Sequence, residues 1–236
     1  MLDQQQSVSE RIRFYREDEK AWVFRVLGVP PESYGIEITS TNEVLLKLNM
    51  SATSVEALRA WSMAKKPGVR EDMTNCVVLV PYHAASGSFL LTRKDMRHPK
   101  PECRLKLSLL AGSMNTSGET PRQAMLRELY EEVRSVEVAD YLASLMQAAP
   151  APLRLKGVQM PGEFNCHVFT AQAAIRDDLD VWVETLHDPQ IGLSEAKSVV
   201  LKREELSRLI AEEDQQPGRH FLSSLHEVLR PLVGNA

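Results

Sequence analysis

Three glutamates in the segment LRELYEEV, Glu128, Glu131 and Glu132, lie three and four residues apart. At about 100° per residue, a helix would bring their carboxylates within about 100° of one another. Like charges at these spacings destabilise a helix by about 0.2 to 0.5 kcal/mol per pair, so we expect a cation to compensate them. The neighbouring stripe of the same helix is apolar and can face a core: Met125, Leu126, Leu129 and Val133.

A divalent metal ion would supply the compensating charge. Mg²⁺ is a hard cation that takes oxygen ligands and keeps several waters, so carboxylates on a helix suit it, with Mn²⁺ as the alternative. Two such ions about 3.5 to 4 Å apart can activate a water and clamp the attacking and leaving oxygens of a phosphoryl transfer. The residues alone also allow a second interpretation, a solvated acidic face that Arg122 and Arg127 balance.

The segment SMNTSGETPRQAMLRELYEEV, residues 113–133, resembles the Nudix box G-x5-E-x7-R-E-U-x-E-E-x-G-U, in which U is apolar. The matching positions are Glu119, Arg127, Glu128, Leu129, Glu131 and Glu132. Ser113 stands at the first glycine of the box, directly after Gly112, and Arg134 and Ser135 replace the closing glycine and apolar residue. The resemblance implies an α/β fold over residues 73–236, a sandwich of helices around a mixed sheet.

The resemblance also implies roles for individual residues. The metal ligands would be Glu128, Glu131, Glu132 and the backbone carbonyl of Ser113. Arg127 would orient a glutamate of the cluster through charge-assisted hydrogen bonds, with Glu119 as an auxiliary partner. Glu131, Glu132 and Arg127 are therefore catalytic candidates as well. Members of the family hydrolyse a nucleoside diphosphate linked to another group by attack of water on phosphorus, giving two phosphorylated products.

The general base is not fixed by the box. The segment IGLSEAKSVVLKREELSRLI, residues 191–210, resembles the late segment of ADP-ribose and other nucleotide-sugar pyrophosphatases, which makes Glu195 the leading candidate base. The alternative for Glu195 is an ordinary loop carboxylate. The turn Pro161-Gly162-Glu163 resembles a turn of the same subgroup, and Glu163 is the second candidate.

A basic loop between Arg93 and Lys106 is a candidate contact for substrate phosphates. Arg93, Lys94 and Arg104 are the residues that we expect to contact them, because Arg and Lys recognise phosphate oxygens. The alternative is a solvated hairpin loop. The segment LLTRK is also similar to one found ahead of the box in coenzyme A pyrophosphatases, but the remaining signature of that subgroup does not follow.

The elements that position these residues fall into two predicted units. Residues 1–72 predict a helix-hairpin-helix unit: a helix from the capping box at Ser7 to Leu27, strands 36–38 and 43–50 joined by the turn Thr41-Asn42, and a helix opened by the capping box at Thr53. The polar stretch KKPGVRED, residues 65–72, marks the boundary.

The second predicted unit, residues 73–236, alternates strands with helices, which favours a layered α/β domain. The strands are expected at CVVLVPY, SFLLTRK, LSLLAG, NCHVFTAQ and SVVLK. The helices are expected at residues 121–133, with Pro121 in the first turn, and at 203–211 and 219–232.

Composition excludes several classes of protein. The 236 residues carry a net charge of −4, so no global basic field favours nucleic acid or anionic lipid. The longest apolar run is far shorter than the ~18 residues that a membrane span needs, and the first residues lack a signal-peptide core, so a cytoplasmic protein is expected. Cys76, Cys103 and Cys166 form no CxxC pair, which predicts three ordinary thiols.

These observations favour a magnesium-dependent hydrolase of a small-molecule nucleotide, with ADP-ribose or a nucleotide sugar as the first substrate to test. Two alternatives stay open. A Nudix-like domain can bind nucleotides as a sensor without cleaving them, although the complete charged set argues against this. Hydrolysis of a capped or triphosphate RNA end would predict a long basic groove and a steep salt dependence. A homodimer is also left open.

Overall fold

The computed structural model describes residues 6–13, 37–38, 43–50, 52–96, 98, 100–133, 136–157, 162–175, 177–185 and 196–234. A first sheet comprises β1 (Gln6–Arg13), β2 (Glu37–Ile38) and β3 (Glu43–Met50), with β3 in the middle. The antiparallel pair β2–β3 confirms the predicted hairpin, whose turn at Thr41-Asn42 lies outside the described residues.

The predicted first helix is wrong over residues 6–13. This segment is the strand β1, which pairs antiparallel with β3 from Gln6 opposite Met50 to Arg13 opposite Glu43. Val8 and Ile12 lie four residues apart, and this spacing in the sequence is compatible with a strand as well as with a helix. The backbone pairing with β3 decides in favour of the strand. The remainder of the predicted helix lies outside the described residues.

Helix α1 (Ala52–Ala64) confirms the second predicted helix but begins one residue before the predicted cap at Thr53. Its apolar face is fully packed: Trp61 is 0% exposed, and Ala57 and Leu58 are each 2% exposed. These residues share one hydrophobic cluster with the helix that carries the candidate glutamates. The boundary proposed at residue 72 therefore stays a prediction, and α1 contributes to the core on its far side.

Within the described residues, a second sheet has eight strands in the order β11-β5-β4-β10-β8, with β6 paired to β5, β7 to β4 and β9 to β10. Its strands are β4 (Glu71–His83), β5 (Ser88–Lys94), β6 (Leu107–Ser108), β7 (Leu110–Asn115), β8 (Met146–Ala148), β9 (Leu153–Lys156), β10 (Glu163–Gln172) and β11 (Ala196–Lys202). Strands β4 and β10 are parallel, whereas β4 pairs antiparallel with β5 and β7. The predicted mixed sheet is confirmed.

Helices cover both faces of this sheet: α2 (Pro121–Glu132), α3 (Val136–Leu145), α4 (Asp177–Thr185), α5 (Arg203–Gln215) and α6 (His226–Gly234). Alternate residues of β4 point to opposite faces, as the period of a strand requires. Val77 and Leu79 pack in the cluster of α1, α2 and α3, whereas Val78 and Val80 pack in the cluster of α5 and α6. This layering confirms the predicted α/β sandwich.

Two predicted elements of the second unit need correction. The segment LSLLAG is split into β6 and β7, and the last helix begins at His226, not at Arg219. Residues 220–222 instead pair with β6: Leu107 donates its N–H to His220, and Leu222 donates to Leu107, at 2.7 and 2.8 Å. Buried Glu213 also accepts the backbone N–H groups of Gly218, His220 and Phe221, which fixes these residues in a loop.

The three cysteines are free, as predicted. Cys76 and Cys166 lie opposite each other in the register of β4 and β10, and Cys103 is buried in the loop before β6.

Candidate active site

Helix α2 is fixed at its beginning by a capping box. Gln123 donates its backbone N–H to Thr120 Oγ1 at 3.3 Å, and Thr120 donates its own N–H to Gln123 Oε1 at 3.0 Å. Pro121 follows in the first turn, where its missing N–H costs nothing. Met125, Leu126 and Leu129 are fully buried against the sheet. The rotation of the helix is therefore set, and Glu128, Glu131 and Glu132 extend along its flank.

Arg127 and Glu119 form a buried ion pair beside this flank. Arg127 is 6% exposed and Glu119 is 7% exposed. The guanidinium donates from Nε to Glu119 Oε1 at 2.8 Å and from Nη2 to Glu119 Oε2 at 3.1 Å. Asn115 donates its backbone N–H and its side-chain amide to the same Oε2, at 2.9 and 3.1 Å. Both charges are thus satisfied by hydrogen bonds, as burial requires.

The other side of the guanidinium contacts the candidate metal ligands. Arg127 Nη1 donates to Glu128 Oε1 at 2.5 Å and lies 3.8 Å from Glu131 Oε2. Nη2 also donates to the backbone carbonyl of Ser113 at 2.8 Å. Every nitrogen of Arg127 is therefore engaged, and one planar group connects Glu119, Ser113 and Glu128.

Gly112 on β7 makes room for the Glu128 carboxylate. A Cβ atom at Gly112 would lie 1.9 Å from Glu128 Cδ, with Oε1 and Oε2 at 2.1 and 2.3 Å. No side chain can therefore occupy this position without displacing Glu128. The box spacing places Ser113 at the first glycine and predicts no role for Gly112. The sequence feature that could have indicated this role is a glycine one position before the expected one, at the end of the predicted strand LSLLAG.

The electrostatics of the glutamate cluster favour a cation. The pKa of Glu128 is raised to about 8, chiefly by burial and next by the charge of Glu131, while the charge of Arg127 opposes the shift. Burial also raises the pKa of Glu132 to about 7, with Lys94 lowering it and Glu131 raising it. Burial lowers the pKa of Arg127, but the hydrogen bonds that Arg127 donates to Glu119 and the charges of Glu128 and Glu131 outweigh this and raise it. The carboxylates thus meet a cost in ionising that a nearby divalent ion would offset.

The donor set suits a hard metal ion, because it consists of carboxylate oxygens. The Glu128 carboxylate lies in the space that the missing side chain of Gly112 leaves. The three glutamates are not drawn into one closed group, however. Among the described residues, the His, Cys, Asp and Glu trio whose ligand atoms all lie within 4.8 Å of one another is Asp214, His226 and Glu227. That trio already holds a cation, since Arg230 Nη2 lies 2.7 Å from Asp214 Oδ1 and Nε lies 3.0 Å from Glu227 Oε2.

A cleft of about 380 Å³ opens at the glutamate cluster. Its walls come from the end of α1 and the turn after it, the beginning of β4, strand β7 and the flank of α2. The lining residues are Ala64, Lys65, Glu71, Gly112, Ser113, Asn115, Arg127, Glu128 and Glu131. Charged and polar residues make up most of this lining, which suits a charged ligand better than an apolar one.

The other predicted site residues have mixed outcomes. Lys94 acts electrostatically on Glu132, so its charge faces the cluster. Arg93 and Arg104 instead donate to backbone carbonyls of their own loop, those of Leu105 at 3.3 Å and His98 at 2.9 Å.

The candidate bases are less informative. Glu163 lies in an exposed ion pair with Arg154, 3.6 Å apart, at the start of β10. Glu195 lies outside the described residues, so its position relative to the cleft stays a prediction.

A family model described as the NUDIX domain matches residues 73–219, which include the whole of this site except its wall from α1 and Glu71. The chain belongs to the Nudix family. It is a Nudix hydrolase, and members of this family generally use a divalent metal. No helix in the described part of this Nudix hydrolase is long and apolar enough to cross a membrane.

Solved structures with the same fold are distant. A MutT structure from work on Aliivibrio salmonicida and Vibrio cholerae is 14% identical, with a TM-score of 0.41, over 69% of this chain and 98% of that one. The E. coli dihydroneopterin triphosphate pyrophosphohydrolase is 18% identical, with a TM-score of 0.45, over 70% and 99%.

A bifunctional NMN adenylyltransferase/ADP ribose pyrophosphatase from Francisella tularensis is 16% identical, with a TM-score of 0.44, over 76% of this chain and 45% of that one. No curated protein matches the chain significantly. At these identities the likenesses carry no argument about the substrate.

Proposed function

We propose that this Nudix hydrolase cleaves a nucleoside diphosphate linked to a second group, with ADP-ribose or a nucleotide sugar as the first substrates to test. The observation that carries the proposal is the buried Arg127, whose guanidinium connects Glu119, the Ser113 carbonyl and Glu128 at one edge of a polar cleft. A helix face with only a solvated role has no need of such an arrangement.

Glu128, Glu131 and Glu132 would hold the metal, which we propose is Mg²⁺, with Mn²⁺ as a substitute. When bound, a divalent ion of this kind lowers the pKa of water and neutralises charge on phosphate oxygens. Arg127 holds one oxygen of Glu128 in place, and Glu119 holds Arg127. Gly112 keeps space for the Glu128 carboxylate. These residues act by positioning, and Lys94 adds positive charge beside Glu132.

The reaction is the attack of a water oxygen on one phosphorus of the diphosphate. A bond forms between that oxygen and phosphorus, the bridging P–O bond breaks, and two phosphomonoesters leave. The proton of the water needs an acceptor, and we propose Glu195 on the basis of the resemblance of residues 191–210 to nucleotide-sugar pyrophosphatases. Glu195→Gln should then lower kcat strongly, whereas Glu163→Gln should leave it unchanged.

The test is a panel of nucleoside diphosphate derivatives incubated with Mg²⁺, and in parallel with Mn²⁺, followed by phosphatase to detect new phosphomonoesters. A Glu131→Gln, Glu132→Gln double variant is the catalytic control, and Asp214→Asn is the matched acidic control outside the cleft. Turnover that is lost in the double variant and kept in Asp214→Asn supports the hydrolase and names its substrate. Tight nucleotide binding without any turnover would replace it with the sensor interpretation.

We expect a small-molecule substrate and no nucleic-acid partner, because the net charge of −4 favours neither DNA nor RNA. Weak, salt-insensitive association with RNA would agree with this expectation, whereas a steep salt dependence would revive hydrolysis of an RNA end. A homodimer and a cytoplasmic location stay predictions from the sequence.

A further inference from the structure

Helix α1 is held firmly on the helix that carries the glutamate cluster. Ser54 Oγ donates to Asp140 Oδ1 of α3 at 2.9 Å and lies 3.3 Å from the hydroxyl of Tyr130 on α2. The Tyr130 hydroxyl donates to the same Asp140 oxygen. Together with the fully buried Trp61, these contacts fix where the end of α1 lies relative to α2.

The end of α1 forms a wall of the cleft. Ala64 is its last residue, and Ala64 and Lys65 both line the cleft together with Glu128 and Glu131. The backbone of Lys65 is held by the hydrogen bond from its N–H to the Trp61 carbonyl at 3.1 Å. Lys65 therefore starts from an anchored backbone, although it precedes the region that the family model matches.

The charges of the cleft single out Lys65. Among its nine lining residues the negative side chains are Glu71, Glu128 and Glu131, and the positive ones are Lys65 and Arg127. Arg127 is fully engaged with Glu119, Glu128 and Ser113. The Lys65 ammonium makes no hydrogen bond or ion pair with any residue of the described ranges, and its side chain is exposed at the opening.

We propose that Lys65 contacts a phosphate group of the bound substrate, so that a residue ahead of the matched Nudix region is part of the binding site. Lysine is suited to this, because its ammonium is a compact charge on a flexible stem with three rotatable donors. The acidic lining would otherwise repel a diphosphate, and Lys65 lines the same cleft as Glu128 and Glu131. The inference rests on the proposed function, since it needs a phosphorylated ligand in this cleft.

The test compares Lys65→Ala with Lys66→Ala, a matched neighbour that is exposed and does not line the cleft. The probe is α,β-methylene-ADP, whose bridging carbon prevents hydrolysis, titrated calorimetrically in the presence of Mn²⁺. Lys65→Ala should weaken its binding by about tenfold, in the range expected for one charge-assisted hydrogen bond. Lys66→Ala should bind it like the wild type, and Lys65→Arg should retain most of the affinity.

A second titration, with Mn²⁺ alone, separates contact with phosphate from simple balance of the acidic lining. The proposal expects Lys65→Ala to bind Mn²⁺ as the wild type does. Tighter Mn²⁺ binding with unchanged affinity for the analogue would overturn it in favour of charge balance. An analogue affinity within twofold of that of Lys66→Ala would overturn it as well.

The two hypotheses can fail separately. If the wild type turns over a member of the substrate panel but Lys65→Ala binds the analogue as tightly as the wild type does, only the proposed role of Lys65 fails. If the wild type binds neither Mn²⁺ nor the analogue and turns over nothing, the proposed function fails and the role of Lys65 fails with it.

Discussion

The carboxylate of Glu128 occupies the space in which a side chain at Gly112 would lie. The contact joins strand β7 to helix α2. A Cβ atom at Gly112 would lie 1.9 Å from Glu128 Cδ, far closer than two non-bonded carbons can approach. Gly112 does not have a positive φ angle, so the backbone itself would accept another residue. Glycine is needed here only because a larger side chain would collide with Glu128, a predicted metal ligand.

Gly112→Ala should therefore displace Glu128 and impair metal binding. We expect a loss of about 1 to 3 kcal/mol in the free energy of unfolding from overpacking, and a 10- to 100-fold loss in Mn²⁺ affinity. Urea unfolding and Mn²⁺ titration measure the two effects. Gly234→Ala is the control, because a Cβ there meets nothing within 4 Å. Wild-type Mn²⁺ affinity in Gly112→Ala would contradict the role assigned to this contact.

Replacement of Arg127 by lysine keeps the charge and removes the fork of donors. Lysine cannot reach both oxygens of Glu119 while also bonding the Ser113 carbonyl and Glu128, so we expect kcat to fall about 10- to 100-fold. Steady-state kinetics on the substrate found with the panel measures this loss. Arg122→Lys, at an exposed pair 3.5 Å from Glu56, should change nothing measurable. Equal kinetics in both variants would sink the positioning role.

Two acidic groups compete as the metal site, and thermal shifts can distinguish them. Mn²⁺ should raise the Tm of the wild type, since a ligand at about 100 times its Kd stabilises the folded state by about 2.7 kcal/mol. Glu131→Gln should abolish most of this shift. Asp214→Asn should retain it, because Arg230 already occupies the Asp214, His226 and Glu227 group. The reverse pattern would move the metal site to the second group.

Buried Glu213 should matter for stability and not for chemistry. It is 1% exposed and accepts the backbone N–H groups of Gly218, His220 at 2.6 Å and Phe221 at 3.3 Å. Removing a charged acceptor from buried donors costs roughly 3 kcal/mol, so Glu213→Ala should unfold at lower urea concentration. Its Mn²⁺ affinity should be unchanged. Glu205→Ala, at an exposed position of the same helix, is the control.

Much of the α/β sandwich follows from the sequence because its signals are local. Strands β4 and β5 contain apolar runs bounded by polar residues, and the beginning of α2 is indicated by Pro121 and its capping residues. The box spacing likewise identifies Arg127 and the glutamates, because charged residues at fixed intervals can be recognised in the sequence without knowledge of the fold.

What the sequence could not reveal depends on partners distant along the chain. Val8 and Ile12 fit a helix or a strand equally well until β3 pairs with them. The last helix starts late because Glu213 and Leu107 hold the preceding loop by backbone hydrogen bonds, which leave no trace in residue type. The need for glycine at position 112 also depends on a distant partner, because it arises only when Glu128 of α2 packs against β7.

The burial of Trp61 has a consequence for what counts as the smallest folding unit. Its indole is 0% exposed and packs in one cluster with Val77, Met125 and Leu129 of the matched region. A chain cut ahead of residue 73 would open that cluster to water and lose the apolar area that stabilises the catalytic helix. The cooperative unit of unfolding is therefore longer than the stretch shared with the Nudix family. We expect helix α1 to unfold together with the region that the family model matches, although it precedes that region.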